Sequence, residues 1–111
     1  MVSDPSNPST SPYEIGDDEF LAAVEDASSA IVDVREPHEF AAGHVPGAIN
    51  LPLSRFDPAE LPTDRPVVLI CQSGARSAKA LRAAQQAGVS GVRHYAPGTG
   101  GWRARGGPVT L

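Results

Sequence analysis

Cysteine is almost absent from this sequence: Cys71 is the single cysteine among 111 residues. One thiol cannot form a disulfide within the chain, so nothing indicates a disulfide-stabilised secreted domain. Aromatic residues are also few, at 5%, and no run of basic residues is interleaved with them. We therefore expect no binding to nucleic acid.

Long apolar segments are missing as well. No segment reaches the roughly 20 apolar residues that a membrane-spanning helix needs, and residues 1–4 show neither the basic nor the apolar part of a signal peptide. We therefore expect a cytoplasmic protein with no membrane partner. A length of 111 residues fits one domain with its own hydrophobic core.

Acidic residues are missing from the C-terminal part of the chain. All 13 of them lie between Asp4 and Asp64, and seven basic residues follow: Arg65, Arg76, Lys79, Arg82, Arg93, Arg103 and Arg105. Because Cys71 lies in the basic part, this asymmetry favours a small anionic substrate. It is equally consistent with two parts that interleave in the fold and neutralise each other.

The chain divides into a polar tail and a patterned remainder. Residues 1–11 are mostly Ser, Pro, Asn and Thr, a composition that predicts a disordered N-terminal tail. From residue 12 to residue 111, short apolar runs alternate with helical patterns, which predicts one α/β domain with a mostly parallel central sheet of about five strands and helices on both faces. The predicted strands are Tyr13–Ile15, Ala30–Val34, Ile49–Leu51, Val67–Ile70 and Gly91–Tyr95.

The predicted helices follow from their start and stop signals. Gly16 and three acidic residues open the first helix, whose buried face we expect to contain Phe20, Leu21 and Val24. A short helix ends at Gly43, an Ala-rich helix runs from an N-cap at Ser77 to Gly88, and one or two turns of helix begin at Trp102. We also expect a type II turn at Pro46–Gly47, at most one short helix in 52–64, and a flexible loop over Pro97–Gly101.

The segment from Pro66 to Gly88 carries the candidate chemistry. Cys71 follows a buried strand and precedes a helix, so its sulfur is expected among backbone N–H groups that favour an anion. The thiol should therefore ionise more easily than a free cysteine, whose pKa is about 8.5. Gly74 permits a tight turn, and Arg76 adds a positive charge across the loop. The alternative is that Cys71 is a small buried hydrophobic residue.

Three motifs resemble the single-domain rhodanese family of sulfurtransferases. They are DVREPHEF at 33–40, GHVPGAIN at 43–50 and CQSGARS at 71–77, and the resemblance covers roughly Tyr13 to Val109. Gly98 and Trp102 fit a later glycine-and-tryptophan motif loosely, with Thr99 where a second glycine is usual. The resemblance implies a rhodanese-like fold over residues 12–111 and no cofactor.

The same resemblance implies a mechanism and a set of site residues. Cys71 would take a sulfane sulfur from an anionic donor such as thiosulfate as a persulfide, and then pass it to cyanide, a thiol or a protein acceptor. The residues implied to bind substrate are Gln72, Ser73, Gly74, Ala75, Arg76 and Ser77. Three others are expected to support the site: Asp33 by bonding loop backbone, Arg35 by an ion pair with Asp33 or Glu39, and His44 within a structural turn.

Other classes of protein are possible alternatives to a sulfurtransferase. Phosphatases and arsenate reductases of related fold place five residues between cysteine and arginine, whereas four separate Cys71 from Arg76. A non-catalytic or sulfur-carrier binding module is a further alternative, although the nucleophile is present. A redox role lacks a second cysteine, and His38 and His94 have no ligand-like neighbours in the sequence, so we expect no metal.

Overall fold

The computed structural model of the protein describes residues 12–111, and the predicted tail at 1–11 lies outside them. Four parallel strands form the sheet: β1 (Ala30–Asp33), β2 (Ile49–Asn50), β3 (Val67–Ile70) and β4 (Val92–His94). Their order is β2-β1-β3-β4. All residues of the two central strands, β1 and β3, are buried, as expected of strands covered on both faces.

A fifth strand was predicted at Tyr13–Ile15, but this segment does not form a regular strand. The segment forms only an isolated bridge between Glu14 and His94, at the outer edge of β4. The amide of Ile15 donates to the His94 carbonyl at 3.1 Å, and the His94 amide donates to Tyr13 at 2.8 Å. The first helix begins two residues after Ile15, which ends the pairing before a regular ladder can form.

Helices cover both faces of the sheet, as predicted. They are α1 (Asp17–Asp26), α2 (Pro37–Ala41), α3 (Ala75–Gln86) and α4 (Gly98–Ala104). On one face, α3 packs through Ala80, Leu81 and Ala84 with alternate residues of β1 and β3, among them Val32 and Leu69. On the other, α1 and α4 contribute Phe20 and Trp102 to a cluster with Val68, Ile70 and Tyr95. Both clusters depend on the period-two alternation of strand side chains.

Two local predictions need smaller corrections. The segment 52–64 holds two single 3₁₀ turns, Leu53–Arg55 and Pro58–Glu60, where at most one short helix was expected. In α1, Phe20 and Ala23 are buried, whereas Leu21 is 40% exposed. One residue along a helix is a rotation of about 100°, so Leu21 points away from the sheet that Phe20 contacts.

The turn predicted at Pro46–Gly47 is present, since the amide of Ala48 donates to the Val45 carbonyl at 3.1 Å.

The start of α3 differs from the prediction, with consequences for the site. The helix begins at Ala75 after an N-cap at Gly74, whose φ is +99°, and not after Ser77. A Cβ at Gly74 would lie 2.5 Å from the Ala96 carbonyl oxygen, so only glycine fits this reversal. Arg76 and Ser77 therefore belong to the first turn of α3, and Ser77 faces inward. The loop that follows β3 is correspondingly short.

The glycine-rich segment 97–101 was predicted to be a flexible loop, but it is the first part of α4. The amide of Thr99 donates to the Cys71 carbonyl at 2.8 Å, and that of Gly100 donates to Gln72 at 3.0 Å. A Cβ at Gly98 would lie 2.4 Å from the Gln72 carbonyl oxygen. These glycines let α4 approach the backbone of the Cys71 loop closely, and the two elements are hydrogen-bonded together.

No helix within residues 12–111 is both long enough and apolar enough to cross a membrane.

Candidate active site

Cys71 lies where the sequence places it, directly after the central strand β3 and beside the first turn of α3. Only 1% of the residue is exposed. Its sulfur accepts a hydrogen bond from the Gly74 amide at 3.0 Å and lies 3.6 Å from the hydroxyl oxygen of Ser77. A cysteine that served only as an apolar filler would not need donors directed at its sulfur, so this geometry suits a thiolate.

Two opposing effects act on the pKa of Cys71. Burial is the largest single influence and raises the pKa. Hydrogen bonds from the Ser77 hydroxyl and from the amides of Ser77, Ser73 and Gly74 lower it, and together they outweigh burial. The pKa therefore lies below its ordinary value, in agreement with the expectation that the start of α3 favours ionisation.

Arg76 occupies a different position from the one expected. Its guanidinium forms two hydrogen bonds with the Glu39 carboxylate, at 2.6 and 2.9 Å, and both side chains are half-buried. The hydrogen bond from Arg76 is the main reason that the pKa of Glu39 falls to about 2. The pKa of Arg76 is in turn raised, chiefly by Glu39 and to a smaller extent by the charge of Cys71. The positive charge of Arg76 is therefore largely compensated by α2.

Glu39 also organises the N-terminus of α2. Its carboxylate accepts from the Glu36 amide at 3.0 Å, as part of a capping box. Glu36 in turn accepts from the hydroxyl of Ser54 at 2.7 Å. One carboxylate therefore joins the first turn of α2 to the first turn of α3, a role that was not expected from the sequence.

The carboxyl end of β1 is held by the buried ion pair between Asp33 and Arg35. Arg35 Nη2 lies 2.9 Å from Asp33 Oδ2 and 2.8 Å from the Gly43 carbonyl oxygen. Asp33 was expected to bond loop backbone, and the backbone group that it bonds is the Arg35 amide at 2.9 Å, two residues further along the chain and outside the Cys71 loop. Asn50, which was not predicted from the sequence, donates to the carbonyls of Asp33 and Arg35.

His44 was expected within a structural turn, but it precedes the turn at Pro46–Gly47 and forms an isolated antiparallel bridge with Thr110. Its Nδ1 lies 2.8 Å from the Phe40 carbonyl oxygen, and its ring stacks on that of Phe40 at 3.6 Å between centroids. Its backbone pairs in both directions with Thr110. These contacts hold α2 and the C-terminal segment together.

The residues predicted to bind substrate divide into two groups. Gln72, Ser73 and Ala75 are exposed, whereas Gly74 and Arg76 are half-buried. Ser77 is fully buried beside the sulfur. The exposed members can meet a ligand directly, and the buried members act on Cys71 or hold the loop.

His94 is a site residue that was not recognised in the sequence. Its Nδ1 lies 2.9 Å from the Ser77 hydroxyl oxygen, and that hydroxyl in turn contacts the Cys71 sulfur. A signal existed: His94 ends β4, which pairs with β3 in parallel, and neighbouring parallel strands end at the same edge of a sheet. Among residues 12–111, no group of three or more potential ligands could hold a metal ion.

Fold and site together define a parallel α/β domain with an ionisable cysteine at the carboxyl end of a central strand. The sequence profile described as the rhodanese-like domain matches residues 17–105. The chain therefore belongs to the rhodanese-like domain family, which confirms both the resemblance and the predicted fold class.

Several relatives carry sulfurtransferase names. A protein named sulfurtransferase from Allochromatium vinosum is 38% identical over 80% of this chain and 83% of its own length. The human thiosulfate:glutathione sulfurtransferase is 35% identical over 60% of this chain and 71% of its own length. The solved structure of the human single-domain sulfurtransferase TSTD1 has a TM-score of 0.75 and 29% identity, and the match covers 86% of this chain and 98% of that one.

Other relatives are longer. An uncharacterized protein of Synechocystis is 45% identical over 71% of this chain, but this chain spans only 45% of its length.

Proposed function

We propose that this protein is a sulfurtransferase that moves a sulfane sulfur from a small anionic donor, such as thiosulfate, to a thiol or to cyanide. The observation that carries the proposal is the set of donors directed at the buried sulfur of Cys71, with the Gly74 amide at 3.0 Å. These donors favour the thiolate, the form of cysteine that attacks sulfur. The sulfurtransferase names of the relatives support the same reaction class.

The reaction consists of two displacements at sulfur. The Cys71 thiolate attacks the outer sulfur of thiosulfate, a sulfur–sulfur bond forms, and the old one breaks with its electron pair leaving on sulfite. An acceptor thiolate or cyanide then attacks the terminal sulfur of the Cys71 persulfide, and the Cys71 thiolate leaves. Because the covalent intermediate returns Cys71 to its initial state, the cycle is complete with these two substrates.

Each part of the loop has a role in this scheme. The amides of Ser73, Gly74 and Ser77 stabilise negative charge on the thiolate and on the persulfide. The exposed Gln72 and Ala75 meet the donor. Arg76, whose charge is compensated by Glu39, acts mainly by fixing the first turn of α3 against α2.

The spacing of the loop favours sulfur over phosphorus. Four residues separate Cys71 from Arg76, and α3 begins immediately after Gly74. Both features narrow the loop, and a narrow loop fits one protruding sulfur better than a tetrahedral phosphate. The guanidinium that a phosphatase would direct at phosphate is here bonded to Glu39.

Mass spectrometry of the intact protein tests the proposal. Incubation of the reduced protein with thiosulfate should add one sulfur atom, and cyanide should remove it as thiocyanate. Cys71→Ser is the control and should gain nothing. Parallel assays with mercaptopyruvate and an aryl phosphate define the donor class. If no mass is gained with either sulfur donor, the proposal fails.

A further inference from the structure

A line of polar side chains continues inward from Cys71. The Ser77 hydroxyl oxygen lies 3.6 Å from the Cys71 sulfur and 2.9 Å from Nδ1 of His94. On the other side of the imidazole, Nε2 lies 3.7 Å from a carboxylate oxygen of Glu14. Ser77 has no exposed surface and His94 only 6%. These groups come from α3, from the end of β4 and from the segment before α1, so the fold assembles them.

The single hydrogen of the Ser77 hydroxyl can couple the Cys71 sulfur to the His94 imidazole. A hydroxyl offers one hydrogen and two lone pairs, and three groups surround this one: the Cys71 sulfur, His94 Nδ1 and the Gly74 carbonyl oxygen at 3.2 Å. If Nδ1 carries its hydrogen, it donates to Ser77, and the hydroxyl is free to donate to sulfur. A charged sulfur attracts that hydrogen more strongly than a carbonyl does.

The reverse arrangement fits the neutral thiol. The S–H then donates to Ser77, and the hydroxyl donates to an unprotonated Nδ1, which places the imidazole hydrogen on Nε2 beside Glu14. The charge of Cys71 and the position of the hydrogen on His94 are therefore coupled. Burial lowers the pKa of His94 more than Glu14 raises it. Near pH 7 the ring is therefore neutral, and its single N–H hydrogen is on either Nδ1 or Nε2.

We propose that His94 is a positioning residue for Cys71: acting through Ser77, it turns the buried hydroxyl into a donor to the thiolate sulfur. The other groups that face His94 and Cys71 are Glu14 at the imidazole and, at the sulfur, the amides of Ser73, Gly74 and Ser77 and the charge of Arg76. The inference rests on the proposed function for its catalytic meaning only. The pKa of the thiol is measured without any sulfur transfer, so the two can fail separately.

Four variants test the coupling, with the ultraviolet absorbance of the thiolate as the readout across pH. Ser77→Ala should raise the pKa of Cys71 by about one unit, as loss of a hydrogen bond to a charged group predicts. His94→Leu fills the site without a hydrogen-bond donor and should also raise the pKa of Cys71. His94→Asn keeps an N–H near the position of Nδ1 and should restore most of the wild-type value. In the double variant, His94→Leu should add nothing to Ser77→Ala.

Tyr95→Phe is the matched control. It removes another side-chain hydrogen bond, from Tyr95 to Asp17 at 2.6 Å, on the opposite face of the sheet, and should leave the pKa of Cys71 unchanged. The inference is wrong if folded Ser77→Ala and His94→Leu proteins keep the wild-type pKa. It is also wrong if the effect of His94→Leu persists in the Ser77→Ala background, because His94 would then not act through Ser77.

A measurement on the wild-type protein covers the case in which a buried variant fails to fold. The nitrogen-15 shifts of His94 report which ring nitrogen carries the hydrogen. We expect the Nδ1 shift to change with a midpoint at the pKa of Cys71, and that step to vanish after the thiol is methylthiolated. A His94 ring whose shifts do not respond to the state of Cys71 overturns the inference.

Discussion

Glu39 and Arg76 join two helices at the mouth of the site through a pair of hydrogen bonds of 2.6 and 2.9 Å. The pair neutralises the guanidinium of Arg76 in the first turn of α3, which directly follows the loop that carries Cys71. Under the proposed function, an anionic donor would therefore meet mainly backbone amides and not a free positive charge. We therefore predict that the donor preference of the proposed sulfurtransferase depends on residue 39, which does not touch the sulfur.

Glu39→Gln should improve the use of anionic donors. The amide keeps the shape of the side chain and an oxygen for the Glu36 amide, but it leaves the charge of Arg76 uncompensated. We expect the KM for thiosulfate to fall several-fold, with a smaller change for a neutral persulfide donor. Steady-state kinetics at low ionic strength measures this, because screening is then weakest.

The control for this charge effect is Glu19→Gln. Glu19 pairs with Arg93 at 2.9 Å on an exposed surface away from Cys71. Glu19→Gln changes the net charge of the protein by the same amount as Glu39→Gln, and it should not alter the KM for thiosulfate. Equal kinetics in the wild-type and Glu39→Gln proteins would show that Arg76 does not influence the donor.

The same ion pair predicts a loss of stability in acid. Hydrogen bonding to Arg76 lowers the pKa of Glu39 from its ordinary 4.5 to about 2. A lowered carboxylate pKa adds stability above pH 4.5 that disappears as the pH falls towards 2. Urea unfolding should therefore show a free energy that decreases over this range, and Glu39→Gln should flatten part of that decrease. An unchanged slope in the variant would mean that solvent screens the half-buried pair and that it contributes little to stability.

Gly98→Ala should disrupt the contact between α4 and the Cys71 loop. A Cβ there would lie 2.4 Å from the Gln72 carbonyl oxygen and 2.6 Å from that of Cys71, at a φ of +70°. Neither backbone oxygen can move without breaking the hydrogen bonds from α4. We expect a loss of more than about 2 kcal/mol in the free energy of unfolding, from backbone strain and overpacking together. Chemical denaturation measures it.

Gly106→Ala separates these two contributions. Gly106 has a φ of +84°, but no atom lies within 4 Å of the position that a Cβ would occupy, so only the backbone strain applies. This variant should lose about 1 kcal/mol and retain the reactivity of Cys71. If the two variants lose the same stability, the close approach at Gly98 is not a significant constraint.

The sequence was informative where one local signal decided the structure. Two signals each act within a few residues, the apolar run before Cys71 and the N-cap Gly16 with the acidic first turn of α1, and the corresponding elements are present. Gly98 and Gly100 misled because they serve a tertiary contact. They leave space for the backbone of Cys71 and Gln72, whereas glycine in sequence also predicts flexibility.

The polar surroundings of Cys71 were only partly predictable, for a similar reason. Amide donors follow from a strand–loop–helix order, so a lowered thiol pKa could be expected. The partner of Arg76 and the contact of Ser77 with His94 depend on packing between α2, α3 and β4. These segments are far apart in the chain, and their side-chain geometry is fixed only when the sheet order is known.

The burial of Cys71 gives a last prediction, which concerns the size of the reagent rather than its charge. The hydrogen bonds to the sulfur lower the pKa of Cys71 and so favour the thiolate, but only 1% of the residue is exposed. Small iodoacetamide should therefore react with a titration midpoint below the free value of about 8.5. A bulky aromatic disulfide should react at least about tenfold more slowly, when both rates are normalised to those of glutathione at the same thiolate fraction. Unfolding in urea should abolish this difference, because it removes the enclosure and leaves the chemistry of the thiol. If the native protein shows the selectivity of glutathione, the sulfur is open to large partners, and the narrow loop does not select for a small donor.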